Sequence, residues 1–175
     1  MDVGLFLLHA VIGSFVAAHG SQKLFGILGG YGLEGTGQYL EGFGLRPGKL
    51  FAFAAGSAEL VGGLAFAAGF FTPGAAALIA ATMLVAARTD HAGKGFWIYN
   101  GGNEYVLTNT AAVIALAFNG AGEWSADKAI GWDVAGVAWG LGALGAAGFG
   151  AASVLALRAR GRRSVVRTGW AAGAP

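Results

Sequence analysis

Glu59 sits about ten positions into an apolar run, a depth at which an ionisable side chain is costly in lipid unless it finds a partner or takes up a proton. Its helical neighbours at three and four positions are Ala55, Gly56, Gly62 and Gly63, all small, so this face can admit another helix or leave a cavity. Two readings stand side by side: a structural carboxyl hydrogen-bonded across helices, or a functional group in a quinone, substrate or proton site. His19 and Lys23, four apart, share one face at the end of the first apolar run. His91 follows the end of the third run, between Arg88 and Lys94, and Glu104 and Tyr105 open the fourth. If these ends meet, His19, Lys23, Glu59, His91 and Glu104, with Tyr105 beside the last, make one polar site. There histidine can exchange protons near neutral pH and cations can hold an anion. Taken singly, each is equally an ordinary helix-end residue.

Other chemistries find no support in the spacing. His9 and His19 lie ten residues apart, about 15 Å along a helix, and cannot ligate one iron together. No His-x-x-x-His pair, phosphate loop or Gly-x-Ser-x-Gly elbow occurs. Cysteine is absent, which removes thiolate metal ligation and thiol nucleophiles. The sequence therefore assigns no metal site, no intrinsic cofactor and no catalytic residue.

The elements that must position these residues are apolar. Of 175 residues, 55% are hydrophobic and 11% charged, whereas a soluble domain carries about a quarter charged. Apolar runs cover residues 3–20, 50–71, 73–87, 105–119 and 134–157. A span needs roughly 17 to 25 residues, so the third and fourth runs must borrow flanking groups such as Arg88, which can snorkel, and Glu104. Thr72-Pro73-Gly74 reads as a tight helical hairpin, with Thr72 as cap and Pro73 in the first turn. The start lacks the cationic stretch of a cleaved signal, so the first run is expected to be retained.

If all five runs span, ten of the eleven Lys and Arg fall on one side: Lys23, Arg46, Lys49, Arg88, Lys94, Arg158, Arg160, Arg162, Arg163 and Arg167. Only Lys128 lies on the other. The positive-inside rule then predicts an outside N-terminus and an inside C-terminus. The tail arginines suit anionic lipid rather than nucleic acid. The glycine-rich loop over residues 21–49 is expected to lie on the membrane, with Tyr39, Leu40 and Phe43 on one short helical face. Trp97 on one side and Trp124 and Trp132 on the other suit interfacial belts. Ala138, Gly142, Ala146 and Gly150 form a small-residue ridge expected to pack against protein. The end of the chain, from about Thr168, is expected to be disordered.

Six stretches stand out in order: His19-Gly-Ser-Gln-Lys-Leu-Phe-Gly26, Ala58-Glu-Leu-Val-Gly-Gly63, Met83-Leu-Val-Ala86, His91-Ala-Gly-Lys-Gly-Phe96, Gly101-Gly-Asn-Glu-Tyr105 and Gly120-Ala-Gly-Glu-Trp-Ser-Ala-Asp127. In these the sequence resembles the DoxX family of small bacterial membrane proteins. The resemblance implies a bundle of four transmembrane helices. It selects His19, Lys23, Glu59, His91, Glu104, Ser125 and Asp127 as recurrent polar positions, the last two as an outer-loop motif. The expected fold is an all-α membrane protein: a four-helix bundle over residues 1–130, an added fifth transmembrane helix over 131–157 and a basic cytoplasmic tail over 158–175.

The resemblance implies a multi-pass protein of the bacterial inner membrane, a subunit of a redox or oxidative-stress-related complex. Such a subunit could bind a quinone or similar lipophile near Glu59 and dock a membrane or soluble redox partner. Phe96-Trp-Ile-Tyr99 would line or lid the entry, and self-association is a further expectation. At most the chain would be a non-autonomous part of a quinone-linked oxidoreductase, since it has no cysteine, flavin motif or haem ligand pair. A non-enzymatic scaffold subunit is the alternative, and a small-solute transporter ranks last because no apolar run is interrupted by proline.

Overall fold

The computed structural model describes the backbone over residues 2–171 and the side chains over residues 3–161. Among these residues the structure is helical throughout, with no strand: α1 (Asp2–Phe25), α2 (Gly32–Gly42), α3 (Gly48–Ala68), α4 (Thr72–Arg88), a 3-10 turn (Ile98–Asn100), α5 (Glu104–Asn119), α6 (Ala126–Ala129) and α7 (Val137–Ala171). The long helices coincide with the apolar runs. Three of them, over Val3–Phe25, Gly48–Ala68 and Val137–Gly161, are long and apolar enough to cross a membrane by length and composition. The 17 residues of α4 and 16 of α5 reach only about 24 to 26 Å, short of the roughly 30 Å hydrocarbon layer.

Successive long helices alternate in direction. Antiparallel α1 and α3 bring Gly13 beside Gly63 and Ala67, and Gly20 beside Gly56 and Leu60, so close that a Cβ on either glycine would strike backbone. Glycine is required here because two helix backbones meet with no room for a side chain. At Gly69 the chain turns left-handed (φ 61°), the backbone N–H of Gly69 donates to Phe66, and α4 starts back. Parallel α4 and α7 are marked by Phe71 against Trp139, with ring centroids 6.1 Å apart, at one end and by Arg88 bonded to Arg158 at the other. Phe118 of antiparallel α5 covers Gly140 of α7.

The core runs between α3, α4, α5 and α7 through Phe66, Ala76, Ile79, Ala80, Val113, Ala117 and Ala147, all fully buried. Much of the outer surface is apolar: Phe15, Phe53, Val61, Leu64 and Phe149 are more than half exposed. Such an inside-out distribution is what a lipid solvent permits.

Three expectations need correction, and α7 shares one core with α4 and α5 through Ala143 and Ala147. Its packed face is Gly140, Ala143, Ala147 and Ala151, whereas Ala138, Gly142 and Ala146 of the supposed ridge are exposed. Several faces of this helix are equally small, so side-chain size could not choose among them. Helix α7 continues to Ala171, past Thr168, from which disorder is expected, and the arginines of that stretch are good helix formers. Residues 172–175 and the side chains of Arg162, Arg163 and Arg167 lie outside the described residues. Finally, Thr72 does not cap α4; a distant carboxylate does, as described below.

Candidate functional site

Lys23 and Glu59 meet. The Lys23 Nζ donates to Glu59 Oε2 at 2.5 Å, with the glutamate side chain 6% exposed and the lysine 29%. The glycine crossing lets the pair form. Gly56, one turn before Glu59, lies under Leu24 and Lys23, and Gly63, one turn after it, lies against Ala17. On the other side Gly62 accepts Leu78 of α4. The small residues around Glu59 therefore admit two helices, and the carboxylate finds a cation rather than a cavity. Pairing answers the cost of burying either charge alone.

The remaining candidates at this end are engaged locally. His19 Nδ1 contacts Gln22 Oε1 at 3.1 Å, and the Gln22 amide donates to Leu28 O at 2.8 Å, closing the turn after α1. His91 Nδ1 lies 2.7 Å from Gly101 O. The Glu104 carboxylate accepts from Ile98 N at 2.9 Å, and Glu104 N donates to Phe96 O at 2.7 Å. Thus His91 and Glu104 fold the loop that joins α4 to α5. Tyr105 is exposed and its hydroxyl has no hydrogen bond among the described residues. No hydrogen bond or ion pair among those residues joins the Lys23–Glu59 pair to His19, His91, Glu104 or Tyr105.

The loop carries Phe96, Trp97, Ile98 and Tyr99 outward, with Trp97 and Tyr99 rings stacked at 6.5 Å. None of the four lines either of the two clefts described below. A latch ties the loop to α2. Asp90 accepts from Lys94 at 3.0 Å, and the Tyr39 hydroxyl lies close enough to couple to its carboxylate. Desolvation, then the hydrogen bond to the Asp90 carboxylate, pushes the Tyr39 hydroxyl up to about 12. Burial works to raise Asp90, but its bonds from Lys94 and Tyr39 win and hold it below the ordinary value. On α2 the exposed Glu34 carboxyl is lowered by its bond from Lys49. Arg158, from α7, donates through Nε to Phe43 O at 2.7 Å and through Nη1 to Arg88 O at 3.0 Å. The ends of α2 and α4 are thereby gathered against α7 at the cation-rich end.

Ser125 and Asp127 lie at the opposite end and do architectural work. Asp127 is buried and accepts from Phe71 N at 2.6 Å, Thr72 N at 3.1 Å and Thr72 Oγ1 at 3.3 Å. It satisfies the open amides of α4 and places negative charge at the positive end of that helix. Thr72 gives its hydroxyl to this carboxylate instead of capping, because Phe71, at φ 42°, occupies the cap position. Ser125 caps α6, accepting from Lys128 N at 3.2 Å.

Sequence reasoning passed over His9. It is 1% exposed, stacks on Phe66 with centroids 4.5 Å apart and bonds Leu5 O through Nδ1 at 2.9 Å. Its depth in α1 is the sequence signal that marks it. Two clefts also went unread, because they depend on which helix faces meet. One of about 460 Å³ opens between α4, α5 and α7, and one of about 310 Å³ lies beside it at Arg88 and Arg158. Among the described residues no three His, Cys, Asp or Glu side chains could hold a metal ion.

Helices with an apolar exterior and a charge pair sheltered at their closest crossing define a membrane protein. The DoxX family model matches residues 4–92, just over half of the chain, and the chain belongs to the DoxX family. That match contains His19, Lys23, Glu59 and His91 and ends before Glu104, Ser125 and Asp127. No curated protein and no solved structure matches the chain.

Proposed function

We propose that this chain is a non-enzymatic membrane subunit of a redox or oxidative-stress-related assembly, anchoring a partner at its cation-rich end. Five alternating spans, with α4 and α5 completed by polar ends, would put that end in the bacterial cytoplasm. One observation carries the reading: Glu59, the acid best placed to exchange protons with a bound quinone, is neutralised by Lys23 at 2.5 Å inside a crossing filled by α1 and α4. Neither described cleft includes Glu59 or Lys23. A carboxylate so enclosed acts as a pin between helices. The docking face would then consist of α2, the latched loop with its outward aromatics and the basic end of α7.

The test compares Glu59→Gln and Lys23→Ala for melting temperature, binding of a short-chain ubiquinone and retention of co-purified partners. A structural pin predicts lower melting in both and a quinone response no different from wild type. Unchanged melting together with loss of quinone binding would overturn the proposal and restore the quinone site.

A further inference from the structure

The two clefts adjoin, with Arg88 and Leu155 lining both. Together they make a groove along α7 whose inner stretch is walled by Leu84, Leu107, Gly148 and Ala152 and whose mouth holds Arg88 and Asn103. The larger part alone, about 460 Å³, lies in the range of small-molecule sites. Nothing stands within 4 Å of where a Cβ on Gly148 would be, so this glycine keeps the groove open rather than packing a neighbour.

Two polar groups at the mouth, Arg88 and Asn103, are unsatisfied in a complementary way. The exposed Arg88 side chain has no hydrogen bond or ion pair among the described residues. Beside it the Arg158 guanidinium donates to the carbonyls of Phe43 and Arg88, which hold it at the mouth. Asn103 Oδ1 is buried and has no partner. A ligand that fits must offer an anion to the guanidinium groups, a hydroxyl donor to the amide and an apolar chain to the walls. The groove also lies at the cation-rich end, where anionic lipids concentrate basic residues.

We infer that the α4–α5–α7 groove binds one anionic glycerophospholipid with a hydroxyl-bearing headgroup, its phosphate on Arg88 and Arg158, its headgroup hydroxyl on Asn103 and an acyl chain along Leu84, Leu107 and Leu155. This site shares no residue with the Lys23–Glu59 pair, so it stands or falls apart from the proposed function.

The full chain in a neutral detergent is titrated with phosphatidylglycerol, phosphatidylcholine, inorganic phosphate or a short-chain ubiquinone, followed by native mass spectrometry and melting temperature. Phosphatidylglycerol is expected to bind singly and raise the melting temperature, and the other three are not. Arg88→Gln weakens binding roughly fivefold, the contribution expected of one cation at an anionic headgroup. Gly148→Leu fills the groove and weakens it at least as much. Both positions are exposed, so both variants should melt like wild type without lipid. Arg160→Gln removes a nearby exposed cation outside the groove and should change binding less than about twofold. Equal response to phosphatidylcholine, stabilisation by phosphate alone, preference for quinone, or equal losses in Arg88→Gln and Arg160→Gln would each overturn the site, as would wild-type affinity in Gly148→Leu.

Discussion

The Lys23 ammonium and the Glu59 carboxylate lie 2.5 Å apart on separate helices, 36 positions apart in the chain. They are unequal partners. Lys23 is 29% exposed and on a flexible stem can reach the interface if its partner is lost, whereas Glu59, 6% exposed, cannot.

Lys23→Ala should therefore cost more than Glu59→Gln. Stranding the buried acid is worth about 3 kcal/mol, and replacing it with a neutral amide that still accepts a hydrogen bond about 1 kcal/mol. Thermal unfolding in detergent measures the order. Restoration of stability in the Lys23→Ala, Glu59→Gln double variant, relative to Lys23→Ala alone, would show the coupling.

Two glycines of α1 should respond oppositely. A Cβ at Gly13 collides with Gly63 and Ala67 backbone, so Gly13→Ala is expected to lose about 1 to 3 kcal/mol. Nothing lies within 4 Å of a Cβ at Gly4, and Gly4→Ala should gain up to about 1 kcal/mol from helix propensity. Melting temperatures that move together would contradict the crossing.

Asp127→Ala leaves the Phe71 and Thr72 amides and the Thr72 hydroxyl without their acceptor, at a cost of about 2 kcal/mol. Asp127→Asn keeps one acceptor and should fall between. Hydrogen exchange at residues 71–74 is the sensitive readout, because a global melt would not separate cap from loop.

The Tyr39–Asp90 latch has a defined pH window. Tyr39 is raised from 10.0 to about 12, so its contribution is complete below pH 10.0 and is lost as pH rises through about 12. Asp90 is lowered from 3.8, so its contribution is complete above that value and is lost as pH falls through the lowered one. Between pH 5 and 9 the difference in loop exchange rate between wild type and Tyr39→Phe should stay constant. Ultraviolet titration should show a late-ionising step in wild type that is missing from Tyr39→Phe.

The apolar runs could be read directly because lipid demands uninterrupted hydrophobic stretches, and the first four runs match their helices within about five residues while α7 continues past its own. Glu59 was also legible, since an acid between glycines at mid-run is conspicuous in any frame. Its partner was harder. Lys23 was in view, but choosing it over His91 or Glu104 requires the register of α1 on α3, which Gly13 and Gly20 set only in three dimensions. Alanine and glycine recur on every face of α7, so sequence could not pick the packed one. Asp127 looked like a loop residue because its partners, Phe71 and Thr72, are 56 and 55 positions away.

That separation has a consequence for biogenesis. When α4 leaves the ribosome its first amides have no acceptor, and none arrives until α5 has been made and the following loop has emerged at the far side. A nascent chain halted before Asp127 thus carries an unfinished helix at its hairpin, and the bundle can lock only late in synthesis.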